Sequence, residues 1–127
     1  MNELAQLHCS PITESTPQLN DREVDQLKSK LPGWFTYEKD GELRLEKFFK
    51  FNNFNQAVTF TNQIAQEANK EDHHPAILTE WGKVTVTWWT HKIKGLHQND
   101  FIMAAKTEQL YRGESDDCYR SGTGWSG

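Results

Sequence analysis

Histidines are the residues of this 127-residue chain whose type and spacing point most directly to chemistry. Four of the five, His73, His74, His91 and His97, fall within 25 residues, and His8 lies far upstream. An imidazole with an ordinary pKa near 6.5 can give or take a proton close to neutral pH. Adjacent side chains point in different directions, so His73 and His74 are better suited to flank a small molecule than to chelate one ion together. We therefore predict a small-molecule site that uses His73, His74 and His91, and we interpret His97 as a polar loop residue.

A metal site is the first alternative explanation of the histidine cluster. The short ligand spacings typical of such sites, for example HExxH on a helix, do not occur in the sequence. Cys9 and Cys118 lie near opposite ends in polar segments, and neither forms a CxxC or Cys/His zinc pattern. We expect neither a metal ion nor a cysteine nucleophile.

Several residues near the histidines allow a structural interpretation as well as a functional one. The rings of Trp81, Trp88 and Trp89 can stack on a flat ligand, although tryptophan in strands more often packs in a core or an interface. Asp100 stands where a last helix is expected to begin, and an acid there is explained equally well by the helix dipole. Any single histidine is most simply a polar surface residue, but three together weaken that interpretation.

Composition limits the class of protein. The chain carries 14 Lys and Arg against 18 Asp and Glu, a net charge of -4, which disfavours nucleic acid as a partner. There is no apolar run of 18 residues and no signal-peptide pattern at the N-terminus, so no membrane association is expected. With only two cysteines, the sequence is typical of a soluble protein of the reducing cytoplasm.

Apolar residues concentrate in the middle of the chain. Residues 1–19 and 113–127 are polar and rich in Ser, Thr, Pro or Gly, so we expect a flexible N-terminal arm and a flexible C-terminal tail around one domain at residues 20–112. Within the domain, periodicity and turn signals predict helices and strands in the order α-β-β-α-β-β-α. The predicted helices cover about residues 21–30, 54–68 and 99–111, and the predicted strands cover 34–38, 42–51, 77–81 and 83–90.

This order of elements predicts an α+β fold. Two antiparallel hairpins, turning at Asp40-Gly41 and near Gly82, supply a four-stranded antiparallel sheet, and three helices pack on one of its faces. Asn99 is expected to cap the last helix. Pro75 disfavours helical geometry at His74, so the second helix should end before or at the histidine pair.

The residues around the histidines resemble the pterin-4a-carbinolamine dehydratase family. The resemblance lies in His73-His74-Pro75, an aromatic residue at Trp81, Thr90-His91, and Gly95-Leu96 followed by Asp100. It extends more weakly upstream through a Pro-Gly-Trp turn and the FxFxxFxxAxxF spacing of residues 49–60, and so covers about residues 20–112. The sequence around WGKVTVTWW is most similar to the bacterial branch of the family, which accompanies phenylalanine hydroxylase.

The resemblance implies dehydration of 4a-hydroxytetrahydropterin to quinonoid dihydropterin, which recycles the cofactor of aromatic amino-acid hydroxylases without a metal or another cofactor. It implies that His73 and His91 transfer protons and that His74 binds or orients the pterin. Pro75 and Thr90 would shape the pocket wall. The same resemblance implies substrate-binding roles for three further residues: Trp34, Trp81 and Asp100.

One position departs from the family pattern. A charged residue often stands four positions before the first histidine, but this chain has Asn69 there. The group that orients His73 or holds the NH groups of the pterin is therefore open, with Glu67, Glu71 and Asp72 as candidates.

The resemblance also leaves two alternative functions and an assembly. Animal members of the family act as dimerisation cofactors for a transcription factor, and a related pterin-handling role in molybdopterin metabolism would keep the pocket with another substrate. Open sheet edges can pair with a second copy, and the resemblance implies a homodimer or a dimer of dimers.

Overall fold

The computed structural model of the protein describes residues 3–112. Three α-helices and four strands alternate as α1-β1-β2-α2-β3-β4-α3, in the predicted order. Their bounds are α1 Asp21–Lys28, β1 Phe35–Lys39, β2 Glu42–Lys50, α2 Phe54–Glu71, β3 Ala76–Glu80, β4 Lys83–Trp88 and α3 Gln98–Arg112. Two short 3-10 helices, Glu3–Gln6 and His91–Ile93, complete the described elements.

The strands form one antiparallel sheet in the order β1-β2-β4-β3. The β1–β2 hairpin turns through Asp40 and Gly41, whose φ angles of 55° and 77° are both positive, as a two-residue primed turn requires. Alternate residues of β2 and β4 face the helices, and their side chains are buried with those of α2 and α3. The main members of this core are Leu45, Phe49, Val84, Val86, Trp88, Phe60, Ile64, Phe101 and Ile102. The predicted α+β class and the helices on one sheet face are confirmed.

Lys47 lies on the helix-facing side of β2, among apolar neighbours. Its ammonium group forms an ion pair with the carboxylate of Glu108 on α3, and the same carboxylate accepts a hydrogen bond from the indole N–H of Trp34 at 3.0 Å. The partly buried lysine is therefore paired, which offsets the cost of removing its charge from water.

Within the expected N-terminal arm, some of the described residues contact the domain. Leu4 and Ala5 are buried in the core, where their 3-10 helix packs against α3. Farther along, the Leu19 amide donates to the carbonyl of Leu96 at 2.9 Å. The polar composition of residues 1–19 hid these anchors because each is a single apolar side chain or a backbone group. The C-terminal tail expected at residues 113–127 lies outside the described residues.

Every helix within residues 3–112 is too short or too polar to cross a lipid bilayer.

Candidate active site

The carboxylate of Asp100 is the centre of the candidate site. Its side chain is fully buried, at 0% exposure, and it accepts three hydrogen bonds. Oδ1 contacts His73 Nε2 at 2.7 Å, while Oδ2 contacts Thr90 Oγ1 at 2.8 Å and the His97 amide nitrogen at 3.0 Å. A carboxylate only accepts, so His73 must carry its proton on Nε2 when the ring is neutral. We call these four residues the Asp100 network.

His73 is held by the end of α2. Asp72 terminates the helix in the left-handed conformation with φ of 55°, and the His73 amide donates back to the Ala68 carbonyl at 3.1 Å. This backward bond is typical of a helix end that reverses the chain. The His73 ring, 8% exposed as a residue, stacks on Trp88 with centroids 5.9 Å apart and planes at 7°. The helix end and the sheet therefore fix the ring together.

Asp100 and Thr90 are held by the connection between β4 and α3. Thr90 pairs with Gly95 in an isolated bridge, so the intervening loop returns the chain to the start of α3. Asp100 is the third residue of α3, and its side chain reaches back to the amide of His97 just before the helix. An acid at the third helical position that returns to the residue just before the helix satisfies a backbone N–H that the helix cannot.

The structure corrects the predicted cap of α3. The His97 ring, rather than Asn99, caps this helix: its Nδ1 accepts from the Asn99 amide at 3.0 Å. The Asn99 side chain turns away and binds the backbone of Ser10. Burial lowers the pKa of His97, and this effect exceeds the opposite effect of the Asp100 carboxylate. His97 lies in the loop before α3, as the sequence predicts, and its position directly before an acid-bearing helix start is also a signal for a cap.

His74 is exposed and has a different partner. Its Nε2 lies 3.0 Å from Oδ1 of Asn69, the residue that stands in place of the family's charged group. None of the three acids proposed as substitutes forms a hydrogen bond or ion pair with the His73 ring. Glu67 pairs with Lys70 and Lys106, Glu71 binds the N-terminal segment, and Asp72 ends the helix. The hydrogen-bond partner of the His73 ring is therefore Asp100, and that of the His74 ring is Asn69.

His91 directly follows Thr90 and is exposed. Its ring lies 4.5 Å from the Trp89 ring, centroid to centroid, and the guanidinium carbon of Arg44 lies 3.9 Å from the Trp89 centroid. Trp89 is buried, and Arg44 and His91 both contact its ring. An imidazole at this position rests on a rigid aromatic base.

The two predicted tryptophans lie apart from the Asp100 network. Trp34 is buried in the core, where it contacts Phe49 edge-on and donates to Glu108. Trp81 is 72% exposed at the β3–β4 turn, at the opposite end of the sheet from His91. Pro75 is half-buried between His74 and the start of β3. The structure thus joins His73, Thr90 and Asp100 directly, and brings His74, Pro75 and His91 alongside them as chain neighbours.

The arrangement combines one shielded acid with imidazoles of different exposure. When one ring nitrogen of a histidine donates a hydrogen bond to a buried carboxylate, the other nitrogen accepts a proton if the ring is neutral. It donates a proton if the ring is charged. Such a group is suited to moving protons. Within residues 3–112 there is no cluster of three or more His, Cys, Asp or Glu side chains arranged to hold a metal ion.

Comparison with known proteins identifies the family. The family model described as Pterin 4 alpha carbinolamine dehydratase matches residues 17–110. A Microcystis aeruginosa protein with the provisional name pterin-4-alpha-carbinolamine dehydratase is 53% identical over 112 residues, which cover 88% of this chain and 97% of that protein. The crystal structure of a transcriptional coactivator/pterin dehydratase from Brucella melitensis aligns with a TM-score of 0.68 and 33% identity, over 75% of this chain and 99% of the other. The chain that carries the Asp100 network therefore belongs to the pterin-4a-carbinolamine dehydratase family.

Proposed function

We propose that this protein dehydrates 4a-hydroxytetrahydropterin to quinonoid dihydropterin, and so recycles the cofactor of an aromatic amino-acid hydroxylase such as phenylalanine hydroxylase. The observation that carries the proposal is the buried hydrogen bond between His73 and Asp100, in a chain that belongs to this family.

The reaction needs proton transfer and no change of oxidation state. The C4a–O bond breaks, the 4a-hydroxyl takes up a proton and leaves as water, N5 gives up its proton, and a C4a=N5 double bond forms. The N5 lone pair expels the hydroxyl more readily as the oxygen gains its proton. A general acid and a general base near neutral pH typically supply about 10² to 10⁴-fold in rate.

His73 suits one of these two roles because its ring is fixed. Its Nε2–H is committed to Asp100, so Nδ1 is the nitrogen that exchanges protons with a substrate. The carboxylate stabilises the charged ring during the transfer, and burial strengthens this interaction. In this proposal Asp100 orients His73 without contacting the substrate, and Thr90 holds Asp100.

His91 takes the second proton-transfer role in the proposal, and His74 binds or orients the pterin. Both are exposed and follow directly on members of the Asp100 network, and His91 rests on Trp89. Pro75 forms part of the pocket wall. Trp34 and Trp81 do not contact the Asp100 network within residues 3–112, so the proposal gives them no part in proton transfer.

The test is to replace His73 and His91 together with Ala and to follow dehydration of carbinolamine by pterin absorbance. The expected result is loss of the catalysed rate with retention of the folded structure. Lys70→Ala is the control, because Lys70 is an exposed residue of α2 that pairs only with Glu67 among the described residues. A full rate in the double variant would overturn the assignment.

The same assay with other pterins tests the alternative role in molybdopterin metabolism. A preference for another pterin over carbinolamine would keep the site and change the substrate. A protein-binding role is the second alternative, since the solved relative is also named a transcriptional coactivator. The helix-free face of the sheet exposes Phe35, Phe48 and Leu78, which is a surface that such a role would use. A tight protein partner in a pulldown, without dehydratase activity, would favour it.

We further propose that the protein forms a homodimer or a dimer of dimers. Strands β1 and β3 are the outer strands of the sheet, and an outer strand offers unpaired backbone groups to a second copy. Light scattering should give at least twice the monomer mass. A monomer mass at working concentration would refute this assembly.

A further inference from the structure

The N-terminal segment Glu3–Ser10 contacts the end of α2 that leads to His73. The carboxylate of Glu71, the last residue of α2, accepts a hydrogen bond from the Cys9 amide at 2.8 Å and lies 2.7 Å from His8 Nδ1. The Glu71 side chain is only 5% exposed although it is charged. Burial alone would raise the pKa of Glu71, but the bonds from Cys9 and His8 and the charge of Lys106 lower it overall. These contacts hold the N-terminal segment against Glu71, which precedes His73 by two residues in the chain.

The same segment contacts the start of α3 that carries Asp100. The Asn99 side chain binds the backbone of Ser10 twice: Oδ1 accepts from the amide at 2.9 Å, and Nδ2 donates to the carbonyl at 2.9 Å. Asn99 is buried at 2% exposure and immediately precedes Asp100. Side chains with both donor and acceptor satisfied by one backbone residue have a single favourable position.

Lys106, in the middle of α3, joins the end of α2 to the beginning of the segment. Its ammonium group donates to the Ala5 carbonyl at 2.9 Å and lies 3.8 Å from the Glu71 carboxylate. Leu4 and Ala5 pack in the core beside α3. The segment therefore has an apolar anchor at one end and polar contacts with both helix ends at the other.

We propose that residues 3–10 form a clamp that positions the His73–Asp100 pair, with Glu71 and Asn99 as its positioning residues. This inference rests on the proposed function and adds to it. His73 and Asp100 are 27 residues apart in the chain, and their 2.7 Å contact requires the end of α2 and the start of α3 to keep a fixed separation. The clamp spans those two ends and binds the residues next to both partners. It lies outside residues 17–110, which the family model matches, so it is a feature of this chain beyond the matched family pattern.

The inference is tested with Asn99→Ala in the full-length protein. This variant removes both hydrogen bonds to Ser10. The backbone N–H of residue 99 can still donate to the His97 ring. Two quantities are measured: the steady-state dehydratase kinetics, and the NMR signal of the His73 Nε2 proton, which is protected from solvent exchange while it binds Asp100. Glu71→Gln is the second variant, since its amide oxygen still accepts from Cys9 while the charge facing His8 and Lys106 is lost.

We expect Asn99→Ala to lower kcat by about ten- to a hundredfold with KM nearly unchanged, because a misplacement of about 1 Å in a catalytic group costs up to about 10²-fold. The His73 Nε2 proton signal should broaden or disappear. Glu71→Gln should show both effects more weakly.

Asn53→Ala is the matched control. Asn53 caps the other end of α2 through one hydrogen bond from the Gln56 amide, so its loss lowers stability without touching the clamp. It should leave kcat and the His73 signal unchanged. Equal losses of kcat in Asn53→Ala and Asn99→Ala, or an unchanged His73 signal in both clamp variants, would overturn the inference. If the wild-type protein lacks dehydratase activity, the proposed function fails, and the His73 signal still decides whether the clamp positions the pair.

Discussion

Replacement of Asp100 by Asn is the most informative single change, because it keeps the shape of the side chain and alters only its hydrogen bonding. The carboxylate accepts from three donors, and an amide has one oxygen and one NH₂ group. If the amide oxygen takes the place of Oδ2, Thr90 and His97 keep their acceptor. The NH₂ group then faces His73 Nε2, which must accept instead of donate. The His73 proton moves to Nδ1, which is the nitrogen we propose for proton exchange with the substrate.

The expected magnitudes separate activity from stability. In this orientation two of the three hydrogen bonds remain and the third reverses direction, so the free energy of unfolding should fall by only about 1 kcal/mol. The rate should fall by about 10² to 10⁴-fold, the usual contribution of proton transfer, because neutral His73 presents the wrong nitrogen. Asp100→Ala differs, since it leaves three donors without an acceptor. At about 1 to 3 kcal/mol each this change costs at least about 3 kcal/mol, a large part of the stability of a small domain.

Urea unfolding, dehydratase kinetics and the ¹⁵N NMR tautomer of His73 measure the three quantities on the same variants. Thr90→Val serves as a comparison, because it removes only the hydroxyl that donates to Asp100. We expect Asp100→Asn to be stable, slow and protonated on His73 Nδ1. A wild-type rate in this variant, or a His73 ring still protonated on Nε2, would refute the role given to the Asp100–His73 bond.

Two further predictions concern groups whose pKa the fold changes. Burial first, and then the carboxylates of Glu71 and Asp100, raise the pKa of Cys9 to about 12. Because the thiolate is the reactive form, the native protein in a Cys118→Ser background should react slowly with a thiol reagent at pH 8. The rate should be on the order of 10³-fold lower than that of the unfolded chain. Comparable rates in the two states would contradict the raised pKa of Cys9. Burial lowers the pKa of His97 below its ordinary 6.5, so the unfolded state binds more protons and stability falls as the pH drops through and below about 6.5. His97→Asn keeps a capping side chain and should flatten this dependence, which urea midpoints at several pH values would show; an unchanged slope would argue against it.

The fold was accessible from the sequence because its signals are local. Asp40-Gly41 between two alternating strands predicts a hairpin, and the turn has the two positive φ angles that this pair supplies. The apolar stripe of α2 predicts a helix on a sheet, and Pro75 predicts that the chain becomes extended beyond it. Each of these features depends on residues within one or two turns of each other.

The N-terminal clamp could not be predicted in the same way. Its contacts join Cys9 to Glu71 and Ser10 to Asn99, across 62 and 89 residues, and most use backbone groups that every sequence contains. Periodicity carries no information about such pairs. The prediction of the α3 cap was wrong for a related reason. Asn99 is a good capping residue in isolation, but the Ser10 backbone offers its side-chain amide both a donor and an acceptor. The His97 ring caps the helix instead.

The site lies between these two cases, because the direction of the predicted elements already restricts which motif residues can meet. In a β3–β4 hairpin the start of β3 and the end of β4 lie at the same end of the sheet. His74 before β3 and Thr90 after β4 must therefore approach each other. Trp81 occupies the turn and must lie at the opposite end of the hairpin, although it belongs to the same sequence motif as His74. Strand direction alone therefore argues against Trp81 as a binding residue. What strand direction does not specify is that Asp100 faces inward, since this depends on the rotation of α3 about its own axis, which core packing sets only when the chain has folded.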